Sequence, residues 1–312
     1  MFWFLQNRPY SIGVDLGNDC LKLAQLADSK EGTALVAGKR FNRPDDVKPG
    51  SAQWQRWAIE MLREATGNGT FRGRDVIAAI PASDVFVDHI RVSKAGDGRI
   101  EDAIFSKIKQ KLPFEPVKQN VMIKSIPAGQ DSLLVMATER KIIERHLAIY
   151  EKAGLTIKSI GAWPLALANC YARFFGRRKS DLNAVVMLLD IQPECTNLVI
   201  SRHKDPLFAC SIPIGAMQYD DEKMLTRLIF ELTSSRRNLA STCRDAQIER
   251  LIFLSGPAVD IETYKTIAKQ MEIQAQMGDC IAAVECADPQ CCGIDRRNGK
   301  VSWATAFGLS LS

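Results

Sequence analysis

The sequence has no run approaching the ~18 consecutive apolar residues of a spanning helix and no leader with a small-residue cleavage site, which points to a soluble, cytoplasmic chain. It also lacks charge of one sign: 41 Lys and Arg stand against 36 Asp and Glu, and basic pairs such as Arg177-Arg178 and Arg236-Arg237 are scattered. Scattered basic residues read as solvated helix faces, so no nucleic-acid partner is expected. Paired C-x2-C knuckles are missing too. Of nine cysteines, an odd count, Cys20, Cys170, Cys195, Cys210 and Cys243 sit singly in or beside apolar segments, as small hydrophobes do in a reducing compartment. The other four, Cys280, Cys286, Cys291 and Cys292, share "CIAAVECADPQCCGIDRRNG" with no His nearby, which reads as a surface loop with incidental thiols rather than a zinc site.

What is present is an ordinary globular composition, 46% apolar and 25% charged, over 312 residues, a length that suits two domains better than one. The opening "MFWFLQ" is read as packing on the domain. From Ser51, Trp54, Trp57, Met61, Leu62 and Ala65 recur at helical spacing up to Gly67 and Gly69, and "GNGTFRG" matches no phosphate-loop pattern and reads as a turn. "RDVIAAIPASDVFVDHIRVS" reads as strand, turn at Pro81 to Ser83, and strand. A ladder of Ile100, Ile104, Ile108 and Leu112 then predicts a helix stopped by Pro113. With two further strands, "NVMIKSIPA" and "SLLVMAT", these elements make a compact α+β module inserted at about residues 76–137. "ERKIIERHLAIYEKAG" follows as a helix with Ile142, Ile143, Leu147 and Tyr150 inward, His146 as a half-buried structural residue, and Gly154 as its stop.

One pattern occurs twice. "SIGVDLGNDCLKLAQL" places Asp15, Gly17 and Asn18 in a turn between two apolar strands, and "NAVVMLLDIQPECTNLVI" places Asp190 in the same position about 175 residues later. A chain that repeats strand, Asp, turn, strand suggests two similar halves, each offering a turn to a shared cleft. Backbone N–H groups in such turns can face phosphate, with Asp15 and Asp190 directed at Mg2+ through its waters.

Here the sequence resembles the PilM family of type IV pilus assembly proteins, within the actin-like ATPase superfamily. "IGVDLGNDCLKLAQL", with Lys22 on the return strand, is similar to that family's first phosphate loop, and "LLDIQPECTNLVI" to its second. "AAIPASDVFVDHIRV", "IEDAIFSKIKQKLPFEP" and "ERHLAIYEKAGLTIKSIGAWPLALAN" follow the family's order, "RLIFLSGPA" resembles its adenosine-side strand and loop, and "WATAFGLSLS" its closing helix. The resemblance implies an α/β, actin-like (ribonuclease H-like) fold of two lobes. The first would span residues 1–180 with the module inserted, the second 181–312 with a reduced helical subdomain at about 216–250. It also implies that ATP and Mg2+, if held, would lie against Asp15, Gly17, Asn18, Asp19, Lys22, Asp190, Thr196, Gly215, Ser255 and Gly256.

The departures weaken that site. Gln192 and Pro193 stand where the family carries a Gly and its neighbour, so a side chain replaces close backbone approach and one N–H donor is lost. Trp163 stands before Pro164 where the family has an acid able to orient water, and Ser255-Gly256 replaces a Gly pair. The reading is therefore a cytoplasmic scaffold of a type IV pilus or type II secretion-like assembly, with weak or absent nucleotide binding. The resemblance implies a partner, the cytoplasmic N-terminal peptide of a single-span inner-membrane protein of PilN type, which would also hold the chain at the membrane. Self-association stays open. The alternative is an active actin-like ATPase or small-molecule kinase. A cell-division member of the superfamily would carry a C-terminal amphipathic membrane helix, and the chain ends at "GLSLS" without one.

Overall fold

In the computed structural model, residues 8–30, 32–91, 100–129, 131–243, 246–255, 259–286, 294 and 301–312 are described. "MFWFLQ", Gly256, Cys291 and Cys292 lie outside them. The first hairpin forms as the alternation of the sequence predicts: β1 (Ile12–Leu16) and β2 (Cys20–Asp28) pair antiparallel, and β3 (Thr33–Asn42) extends the meander. α1 (Ala52–Gly67) starts where the Ser51 hydroxyl accepts the Trp54 N–H at 3.1 Å, an N-cap, and buries Trp54, Trp57, Ala58, Leu62 and Ala65.

β4 (Asp75–Ala79) lies parallel to β1 inside the same sheet. The strand expected to open the inserted module is thus part of the lobe itself, and the module begins after the Pro81 to Ser83 turn. It comprises β5 (Phe86–Arg91), α2 (Ile100–Ile108), β6 (Val121–Pro127) and β7 (Ser132–Glu139), in a three-stranded antiparallel sheet of order β5-β7-β6. Ile104 and Ile108 of α2 pack against Ile90, Val121, Val135 and Ala137, while Ile100 at the first turn stays exposed.

α3 (Arg140–Lys152) returns the chain to the first lobe. Its inward stripe is His146, Ile149 and Tyr150; Leu147 faces solvent and His146 is fully buried, not half-buried. Counted from His146, Ile149 and Tyr150 lie three and four positions on and so fall on its side of the helix, whereas Leu147 is one position round from it. β8 (Thr156–Gly161) completes the parallel edge beside β4, and α4 (Trp163–Phe174) leads out of the lobe with Pro164 in its first turn.

β9 (Val185–Ile191), β10 (Thr196–Arg202) and β11 (Asp205–Ile212) form a second antiparallel meander. After α5 (Glu222–Thr242), β12 (Ile248–Phe253) pairs parallel to β9. Beyond α6 (Ile261–Met271), β13 (Ala275–Met277) pairs parallel to β12. The order β11-β10-β9-β12-β13 repeats β3-β2-β1-β4-β8, with the same directions throughout. The twofold pattern seen in the sequence is a duplicated sheet.

The last elements do not stay with the second sheet. β14 (Glu285–Cys286) pairs with β3, and α7 (Ala304–Ser310) lies on β1, where Ser310 Oγ accepts from Leu26 N–H at 3.1 Å and donates to Ser11 C=O at 2.8 Å. Glycine makes this approach feasible. A Cβ at Gly13 would lie 2.0 Å from the Ala306 carbonyl, and one at Gly308 only 1.8 Å from that of Ala166. The first lobe is therefore built from both ends of the chain. Among the described residues no helix is long and apolar enough to cross a membrane.

Candidate functional site: a cleft between two hairpin turns

Duplication places the two turns in equivalent positions. Asp15 is next to last in β1 and Asp190 next to last in β9. Each turn closes with the same bond, Gly17 N–H to Cys20 C=O at 2.9 Å and Gln192 N–H to Cys195 C=O at 2.8 Å. Both turns line one cleft of about 770 Å3, the first through Asp15, Gly17, Asn18, Asp19 and Lys22, the second through Gln192, Pro193 and Glu194.

Lys22 sits opposite Asp15 in the β1–β2 register, so the two side chains share a face. Its ammonium, 2% exposed, lies 2.9 Å from Asp15 Oδ2 and donates to the Ser302 carbonyl at 3.0 Å and to Gln192 Oε1 at 3.5 Å. Burial works against the charged ammonium, but Asp15, with Cys20, Asp19 and Asp190 behind it, outweighs burial and moves its pKa upward. The amide of Gln192 in turn donates to Asp190 Oδ2 at 2.7 Å. Asp190 is fully buried, and its Oδ1 has no hydrogen-bond partner among the described residues. Burial raises its pKa above the usual carboxylate range, against the opposing pull of Lys22, Ser302 and Gln192. The polar groups of the two turns are thus engaged with one another, in a chain from Asp15 through Lys22 and Gln192 to Asp190.

Other residues singled out in the sequence divide into two groups. Asn18 and Asp19 stand at the cleft: Asn18 Nδ2 donates to Ser83 Oγ at 3.0 Å, and Arg43 braces the turn by donating from Nε to the Asn18 carbonyl and from its own N–H to that of Asp19. Thr196, Gly215 and Ser255 are engaged in the framework. The Thr196 hydroxyl donates to Ile214 C=O at 2.7 Å and meets the Tyr219 hydroxyl at 2.8 Å. Gly215 lies beneath the second turn, where a Cβ would come within 2.4 Å of the Pro193 carbonyl. Ser255 Oγ accepts the Ile191 N–H and ties β12 to β9.

Sequence reasoning missed several participants. Ser302 contributes its backbone carbonyl to Lys22 and its side chain to Asp190, from a segment with no motif to mark it. Glu139, Glu194, Asn197 and Thr305 also line the cleft, so carboxylates are present besides the aspartates, though none stands at the α4 start. There Trp163 faces the cleft, 2% exposed, with its indole Nε1 buried and unpartnered among the described residues. On the module side the same cleft is lined by the apolar groups of Pro81, Val85, Phe86, Pro113, Phe114 and Ile142, with Ser83, Asp84 and Glu139 beside them.

Among the described residues no group of three or more His, Cys, Asp or Glu side chains is placed to hold a metal. Cys280 is buried in the core against Cys170.

No protein-family model and no curated protein sequence matches the chain. Solved structures do. A chain of a PilM–PilN type IV pilus biogenesis complex superposes with a TM-score of 0.74 at 19% identity, over 97% of this chain and 98% of that one. The cytoplasmic domain of EpsL, an inner-membrane component of the type II secretion system of Vibrio cholerae, superposes with a TM-score of 0.50 at 13% identity, over 79% of this chain and 82% of that one. A Bacteroides thetaiotaomicron protein with an actin-like ATPase fold gives 0.51 at 10% identity, over 88% and 92%. The chain has the actin-like ATPase fold, with its small α+β module inserted in the first lobe.

Proposed function

We propose that this chain is a PilM-like cytoplasmic scaffold for a type IV pilus or type II secretion-like assembly. It would take the cytoplasmic N-terminal peptide of a PilN-type, single-span inner-membrane protein and reach the membrane through that partner. The observation that carries the reading is the module side of the cleft, a groove lined by the apolar groups of Pro81, Val85, Phe86, Pro113, Phe114 and Ile142 between first lobe and module. A groove of this chemistry suits a short peptide with apolar anchors, or one that adds to strand backbone. Nearly end-to-end likeness to a chain from a PilM–PilN complex supports it.

The cleft supports the same reading. Mg2+ and phosphate would need Asp15 and Asp190 free, and both carboxylates are engaged by Lys22 and Gln192. The Gln192 amide covers Asp190, and Pro193 offers no N–H, so ATP with Mg2+ would be held weakly or not at all. Calorimetry of the N-terminal peptide from the single-span protein encoded beside this one is the test. Saturable binding that Phe114→Glu abolishes and Phe230→Glu, at an exposed position of α5, leaves intact is the expected result. Absence of heat at high micromolar peptide, or steady phosphate release from Mg-ATP that Asp15→Ala removes, would overturn it.

A further inference from the structure

The chain crosses from the first sheet to the second through residues 175–184, and a separate cavity of about 330 Å3 opens beside that crossing. It shares no lining residue with the hairpin cleft. Its walls are unusually rich in hydrogen-bond donors. Arg177 and Arg178 follow the end of α4, Arg250 projects from β12, and Gln276 from β13.

Asp181 is the one carboxylate among the lining residues, and both its oxygens are engaged. Oδ1 accepts from Arg250 Nη2 at 2.5 Å and Oδ2 from the Arg178 backbone N–H at 2.9 Å. Arg250 Nη2 also donates to the Tyr171 hydroxyl at 3.2 Å, leaving its Nη1 and Nε without acceptors among the described residues. The guanidinium groups of Arg177 and Arg178 make no hydrogen bond or ion pair there at all. Three fixed positive charges against one carboxylate leave two uncompensated.

A cavity lined by donors and short of acceptors selects an anion, and planar guanidinium forks match the oxygens of phosphate. The volume lies at the low end of small-molecule sites, which run from about 300 Å3 upward, so a compact ligand fits better than a nucleotide. We propose that this pocket binds a small phosphate-bearing anion with at least two negative charges. The ligand would bridge Arg177 and Arg178, at the exit of the first lobe, to Arg250 in the second sheet. The inference is independent of the scaffold reading.

Inorganic pyrophosphate, titrated calorimetrically at matched ionic strength, is the probe. Saturable one-site binding is expected, weakened about tenfold in Arg177→Gln and in Arg178→Gln, the loss of one charge-assisted hydrogen bond, and lost in the double variant. Both arginines are exposed, so the variants should keep the wild-type thermal midpoint without ligand. Arg56→Gln, an exposed arginine on α1, controls for overall charge. No binding at millimolar pyrophosphate, equal binding by the double variant, or an equal loss in Arg56→Gln would overturn the assignment.

Discussion

Replacing Gln192 with Gly removes the group that joins the two turns. The variant loses the 2.7 Å hydrogen bond to the buried Asp190 carboxylate and the longer contact with the Lys22 ammonium. A hydrogen bond to a charged group contributes about 1.5–3 kcal/mol, and the added freedom of glycine in the unfolded chain costs about 0.4–1 kcal/mol more. Asp190 Oδ1 has no partner among the described residues, so the Ser302 side chain and the Lys22 charge are what remain to hold the carboxylate. The expected destabilisation is about 2–4 kcal/mol, a large share of the roughly 5–15 kcal/mol that holds a typical domain. Calorimetry should show a thermal midpoint several degrees lower.

The same substitution should open the phosphate approach. With Mg-ATP at 100 times its dissociation constant, ligand linkage returns about 2.7 kcal/mol to the variant, while wild type gains little. Gln192→Met separates the two effects, because it removes the hydrogen bonds but keeps a side chain in the approach: it should be destabilised and remain insensitive to Mg-ATP. A Gln192→Gly protein as stable as wild type would refute the network. Equal stabilisation of wild type and variant by Mg-ATP would refute the blockage.

Burial, with a smaller contribution from Arg145, depresses the His146 pKa to about 4. The unfolded histidine takes up its proton near pH 6.5, so this stability is present above that pH and is lost as pH falls toward 4, by about 3 kcal/mol; urea midpoints at pH 7 and 4.5 should separate in wild type and converge in His146→Leu. Gly308→Val, whose Cβ would meet the Ala166 carbonyl at 1.8 Å, should destabilise by at least about 3 kcal/mol and detach α7. Gly67→Ala at the end of α1, with nothing within 4 Å, should be neutral or stabilising by up to about 1 kcal/mol in the same melts. Elemental analysis should find no stoichiometric zinc, and Cys291→Ser with Cys292→Ser should leave the thermal midpoint unchanged.

Much of the architecture was legible because it rests on period and punctuation. Ser51 announced α1, Gly154 ended α3, and the Asp15 and Asp190 strands repeated a pattern that the sheets repeat in three dimensions. Boundaries set by tertiary pairing were less legible. The strand from Asp75 reads identically whether it pairs with β5 or lies parallel to β1, and only the sheet decides. Leu147 and His146 differ by one position on a helix, so hydrophobicity favoured Leu147 while packing around Tyr150 favoured His146. In the site, motif spacing placed Asp15, Asn18, Asp19 and Lys22 at the cleft. Thr196, Gly215 and Ser255 turned out to hold the framework, since a hydroxyl or a glycine serves a neighbouring strand as readily as a ligand. Gln192 stood out in the sequence as a lost glycine; its gain of two polar partners depended on distances no pattern encodes.

The module connects these local facts to the proposed role. It forms one wall of the apolar groove, yet it rests on the second sheet as well: the His89 and Phe208 rings meet edge to face at 5.4 Å, Arg91 donates to the Ser241 carbonyl, and Cys243 Sγ donates to that of Ala128 at 3.2 Å. A change in the separation of the two sheets would therefore move one wall of the groove relative to the other. In a nucleotide-driven member of this fold, ligand in the cleft would set that separation. Here the bridge from Asp15 through Lys22 and Gln192 to Asp190 supplies an internal tie across the same gap. For the proposed scaffold, whose peptide groove would have to stay formed without turnover, a side chain at position 192 that hydrogen-bonds to both sides would serve as that tie.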